Sequence, residues 1–184
     1  MSVRLRPFAV FVSATLLAAG VLASAAHAAP PITVTSKTPV DGPIKYTVKV
    51  TSKTFGDAQD DRIIRSGQTD DFTWKTVPPG GPVAAPPQCP NYAQLPVDSN
   101  GAVLREMRIR LAPSVAEDGT ASVQMSVQAS APHGKANVKV SGKVMQCPRS
   151  TVLNQVLRFT MSTDGKAKTV ALSDGSQVTV SASR

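Results

Sequence analysis

The chain has 184 residues, a formal net charge of +8, two cysteines and only 4% aromatic residues. That length accommodates one domain with a substantial core, and the charge favours acidic partners without selecting one. Scarce aromatic residues argue against single-stranded nucleic acid, which is usually held by stacking on them.

Arg4 and Arg6 precede an apolar stretch from Phe8 to Ala23, and Ala26-His27-Ala28 has the small-x-small form of a cleavage site. Residues 1–28 therefore read as a cleaved secretory signal peptide, and residues 29–184 as a single mature domain. A retained anchor is the alternative, but the span is short for a bilayer and no later apolar run is long enough to cross one. Without an Arg-Arg pair, the general secretory route is expected. Losing Arg4 and Arg6 leaves 18 basic against 12 acidic residues, a charge of +6. The expected location is periplasmic or secreted. In an oxidising compartment two cysteines read as one disulfide, Cys89 to Cys147. A metal site or redox pair fits less well, because no C-x-x-C is present and one histidine follows the leader.

After Pro30-Pro31, Ile32-Thr33-Val34-Thr35 alternates as a short edge strand. Asp41-Gly42, between Pro39 and Pro43, marks a turn. Ile44, Tyr46, Val48 and Val50 then alternate with Lys45, Thr47, Lys49 and Thr51, a clear strand. A polar loop spans 56–61, Arg62 to Arg65 reads as a brief strand, and 71–77 as a strand burying Trp74. Residues 78–96 hold seven prolines and Gly80-Gly81. Proline lacks the ladder donor, so this segment reads as a surface loop pinned by Cys89. Ser99-Asn100-Gly101 turns into a strand through Leu111, whose apolar parity Arg105 interrupts.

The strongest pattern follows Glu117-Asp118-Gly119. Ala121, Val123, Met125, Val127 and Ala129 alternate with polar residues, a period of two that marks one buried and one wet face. Pro132-His133-Gly134 reads as a hairpin turn, with Val138, Val140 and Val144 as the buried parity of the returning strand. Residues 150–157 fit strand or helix; Leu157, Phe159 and Met161 favour strand. Asp164-Gly165 and Asp174-Gly175 read as tight turns that bound the last two strands. Eight or nine short strands with almost no helix give an all-β fold: an antiparallel β-sandwich, or a flattened barrel.

Motifs for chemistry are sparse. His133 has no nucleophile motif to serve, so no catalytic residue is expected. Asp57, Asp60, Asp61, Asp70 and Asp71 could hold calcium only irregularly, since Arg62 and Gln68 stand where an EF-hand loop needs glycine and glutamate. No cofactor or resident metal is expected. Basic residues recur on wet parities: Lys45 and Lys49, Arg108 and Arg110, and then Lys135, Lys139, Lys143, Arg149, Lys166 and Lys168. The last group, Lys135 to Lys168, is a candidate contact for a polyanion, although lysines on wet faces also simply keep strands soluble. The expectation is an exported, non-enzymatic binding or structural domain whose partner is an acidic polymer or another protein. Ile32-Thr33-Val34-Thr35 also resembles the N-terminal donor strand of chaperone–usher pilins, which implies a subunit that lends this strand to its neighbour. The long proline-rich loop departs from that family.

Overall fold

Alternating apolar and polar residues give the chain strands with one side to bury, and two such sheets bury each other. The computed structural model describes residues 42–184, which fall in one compact unit. The expected signal peptide, the 32–35 strand and the start of the Pro39 turn lie outside the described residues.

The strands are β1 (Pro43–Thr51), β2 (Ala58–Arg65), β3 (Asp70–Thr76), β4 (Val83–Ala84), β5 (Ala102–Val103), β6 (Arg105–Val115), β7 (Thr120–Val140), β8 (Lys143–Ser162), β9 (Asp164–Ala171) and β10 (Gln177–Ser183). One sheet has the order β2-β1-β10-β9, the second β3-β6-β7-β8, and β4 pairs with β5. All pairings are antiparallel. The core joins both large sheets: Ile44, Tyr46, Val48, Val50, Val178 and Val180 from the first, Phe72, Ile109, Leu111, Val123, Met125 and Val127 from the second. This is the expected sandwich, and the ambiguous 150–157 segment is strand throughout.

The hairpin is built differently from its expected form. Pro132-His133-Gly134 does not reverse the chain. Pro132 pairs with Ser150 and Lys135 with Pro148, so β7 carries one extra residue there, a bulge. The reversal comes at Ser141-Gly142, between the paired residues Val140 and Lys143. Both turn residues have positive φ, 49° and 81°, as a two-residue primed turn requires. β7 and β8 therefore run past the sandwich as a long two-stranded arm. Beyond the main core, Val138 and Val140 are only half-buried and Val144 is 68% exposed, against the expectation for all three. Trp74 is also half-buried rather than enclosed.

The proline-rich segment is not structureless. It contains β4, a 3-10 turn at Tyr92–Gln94 and, just after it, β5. Asp98 organises the turn before β5, accepting from the backbone N–H groups of Asn100 and Ala102 at 2.8 and 2.9 Å. Cys89 and Cys147 form the expected disulfide, with Cα atoms 5.7 Å apart. Ala85, Cys89, Ala102, Val103 and Cys147 are all buried yet belong to no part of the main core, so the excursion and the arm share a small core of their own.

Asp164-Gly165 is a corner and not a hairpin turn. β8 ends at Ser162 in one sheet and β9 begins at Asp164 in the other. Thr163 ties the corner down, its N–H and hydroxyl both donating to the Gly119 carbonyl at 3.1 and 3.0 Å.

Candidate functional site

The outer face of the β3-β6-β7-β8 sheet follows from register. Asp71, Thr73 and Lys75 stand opposite Arg110, Arg108 and Glu106; these stand opposite Ser126, Gln128 and Ser130, and these in turn opposite Val156, Asn154 and Val152. Gln124 and Arg158 form a further rung. Every one of these is the wet alternate of a strand whose other alternate fills the core, which is why hydroxyls, amides and guanidinium groups collect here.

The charges on this face are unequally committed. Arg110 makes a two-pronged pair with Asp71, Nε to Oδ1 at 2.7 Å and a terminal nitrogen to Oδ2 at 2.9 Å. That bond holds the Asp71 carboxyl below the usual carboxylate range and raises Arg110. Lys75 lies 3.9 Å from Glu106. Arg158 donates to the Gln124 side chain at 3.0 Å. Among the described residues Arg108 makes no hydrogen bond or ion pair. It lines two open depressions, one of about 350 Å3 with Glu106, Gln128, Val152 and Asn154, the other of about 210 Å3 with Arg110 and Ser126.

The six basic candidates do not share one face. The bulge shifts the alternation of β7 by one, which puts Lys135 and Lys139 on the same side as the even-numbered residues of β8, and so on the side of Arg158. Lys143 pairs with Val140 and Lys139 with Val144, so Lys143 points to the opposite side; Arg149 shares that side. Lys166 and Lys168 are on β9, in the other sheet, where Lys166 pairs with Asp164 at 3.1 Å. The Asp164 carboxyl is held far below its ordinary value, first by the Ser162 hydroxyl and then by Lys166. The outer face thus gathers Lys75, Arg108, Arg110, Lys135, Lys139 and Arg158 against Asp71 and Glu106. Parity along β6 revealed the two arginines there, but only the bulge reveals that Lys135 and Lys139 join them and Lys143 does not.

The acidic residues of 57–71 have separate partners. Asp57 accepts from the Ser52 N–H at 3.0 Å, Asp60 pairs with Arg62 and Asp61 with Lys45, both at 2.8 Å. Among the described residues no group of three or more His, Cys, Asp or Glu side chains is placed to hold a metal ion. His133 sits exposed on the bulge.

A family model covers residues 1–184. The chain belongs to DUF6013, a family of unknown function. No curated protein and no solved structure matches it. For this DUF6013 chain the site chemistry therefore rests on its own side chains: hydrogen-bonding and predominantly cationic on one sheet face, with Arg108 in no hydrogen bond or ion pair among the described residues. The opposite outer face is less charged, with Lys45 neutralised by Asp61 and the β10 rungs supplied by Gln177, Thr179, Ser181 and Ser183. Among the described residues no helix is long and apolar enough to cross a membrane.

Proposed function

We propose that this DUF6013 protein is exported and acts in the periplasm or outside the cell as a non-enzymatic binding domain, holding an acidic polymer across the outer face of the β3-β6-β7-β8 sheet. The observation that carries the reading is the imbalance on that face, six cationic side chains against two carboxylates, with Arg108 free beside the Gln128 and Asn154 amides. Amides and hydroxyls spaced along a sheet suit the repeating hydroxyls of an acidic polysaccharide, and guanidinium groups suit its carboxylate or sulfate groups. The Cys89–Cys147 bond is compatible with an oxidising compartment and supports export.

The test is salt-dependent retention on immobilised heparin, used as a generic acidic polysaccharide. Arg108→Gln and Lys139→Gln should each lower the eluting salt concentration, while Lys49→Gln, on the other sheet, should leave it unchanged. Equal shifts from all three would reduce the effect to net charge and sink the assignment to this face. Intact mass of protein from a non-cytoplasmic fraction should place the first residue at Ala29; a cytoplasmic chain retaining Met1 would remove the export reading.

A further inference from the structure

Arg105 breaks the apolar parity of β6, and its surroundings suggest why. It stands opposite Thr76, on the side of the strand that faces the core, at the end of the sandwich from which the β7–β8 arm departs. Its guanidinium lies flat against Gly56: a Cβ built there would come within 3.0 Å of both terminal nitrogens. Gly56 has φ of 92°, so glycine meets both the backbone and the space requirement. The Nε of Arg105 is buried with no acceptor, and the side chain makes no hydrogen bond or ion pair among the described residues. A guanidinium stays charged, and a charge withdrawn from water without a counter-charge is costly.

The same arginine lines a cleft of about 340 Å3, whose walls are Pro78 and Pro79 from the proline-rich excursion and Pro132 and His133 from the bulge, with Thr54 and Thr151 adding hydroxyls. No aspartate or glutamate lines it. The volume is at the lower end of what small-molecule ligands occupy. We infer that this cleft binds an organic carboxylate with a compact apolar body, the carboxylate on the Arg105 guanidinium and the body against the prolines. A planar carboxylate matches the guanidinium fork, and the threonine hydroxyls can donate to its remaining lone pairs. The bulge and the excursion then have a shared purpose: each contributes one wall over a cation the core cannot neutralise. This site is independent of the polymer-binding face, since Arg105 and Arg108 point to opposite sides of β6.

The experiment is a chemical-shift titration of the mature protein with N-acetylalanine, its neutral amide, and inorganic phosphate. N-acetylalanine should shift the amides of Gly56, Thr54, His133 and Thr151 saturably, the neutral amide should not, and Arg105→Gln should weaken binding about tenfold or more. Removing an unpaired half-buried charge should leave the melting temperature unchanged or higher, so lost binding in that variant is separable from unfolding. Binding of the amide as tight as the acid, undiminished binding by Arg105→Gln, phosphate bound in preference to carboxylate, or no binding tighter than about 10 mM would each overturn the proposal. Arg108→Gln serves as the control and should leave the titration unchanged, whatever it does to heparin retention.

Discussion

Tyr46 is fully enclosed, and its hydroxyl finds no partner among the described residues. Burial pushes the phenol up to about 12 from an ordinary 10.0, partly offset by the Arg184 charge. The unfolded chain loses this proton near pH 10 while the folded chain keeps it, so above that point the folded state holds more protons. Stability should therefore be level below pH 10 and fall as pH rises toward 12. Tyr46→Phe removes the orphaned hydroxyl and keeps the ring, and should raise stability near neutral pH by about 1 kcal/mol. Urea unfolding of both proteins at pH 7 and pH 11 checks both statements; a less stable phenylalanine variant would show that the hydroxyl has a partner. Arg62 illustrates the same scale with the opposite outcome. It points inward from edge strand β2 opposite Tyr46, yet pairs with Asp60 at 2.8 Å and covers the Phe72 ring at 5.5 Å, closing the sandwich edge.

At the scale of elements, β7 shows where a period-two pattern is legible and where it ends. Over Ala121 to Ala129 alternation marked the buried face correctly, because a core lies beneath it. Past Ala131 the bulge shifts the alternation by one and the strand runs on into the arm, beyond the main core, where Val138 and Val140 are only half-buried. Val123→Ala should then cost about 1–3 kcal/mol and Val138→Ala less than about 1 kcal/mol, measured by denaturant unfolding. Equal costs would mean the arm is packed as tightly as the sandwich. A bulge and a hairpin turn both interrupt alternation and both favour glycine and proline, and for that reason Pro132-His133-Gly134 read as a turn. The true turn had a signal of its own in Ser141-Gly142, a dipeptide suited to positive φ. Its consequence, the transfer of Lys143 to the opposite side from Lys139, needed the register. The break at Arg105 was visible in the sequence, as were the proline-rich loop and the disulfide that pins it; that the loop closes over Arg105 was not, because that contact depends on how segments distant in sequence pack together.

For the whole molecule the disulfide is the tie between two cores of unequal size. In the chain-entropy account, a closed loop of this length restricts the unfolded state by roughly 4 kcal/mol. A domain of this kind has a margin of only about 5–15 kcal/mol. The double variant Cys89→Ser, Cys147→Ser should melt roughly 10 °C lower. Amide exchange should quicken first in residues 83–103 and 133–148, where the small core depends on the bond. An unchanged melting temperature would show that the bond holds the excursion in place without stabilising the sandwich. The pairing itself followed from counting two cysteines in a chain whose first residues read as a secretory leader, and the sandwich from the alternation of its long strands. The strand order did not follow, since it depends on which edges meet across turns with similar composition.

The neighbouring positions of β1 and β10 bear on how the fold responds to load. The two strands are antiparallel, with Lys45 opposite Ser183 and Thr51 opposite Gln177. A pull applied at Pro43 and Ser183 therefore acts on one end of a ladder in the middle of the sheet and opens its hydrogen bonds one at a time, like a zip, instead of shearing them together. Tethered through those two points, the sheet should yield at low force at its centre, with β1 parting from β10, while the four strands that carry the cationic face stay paired.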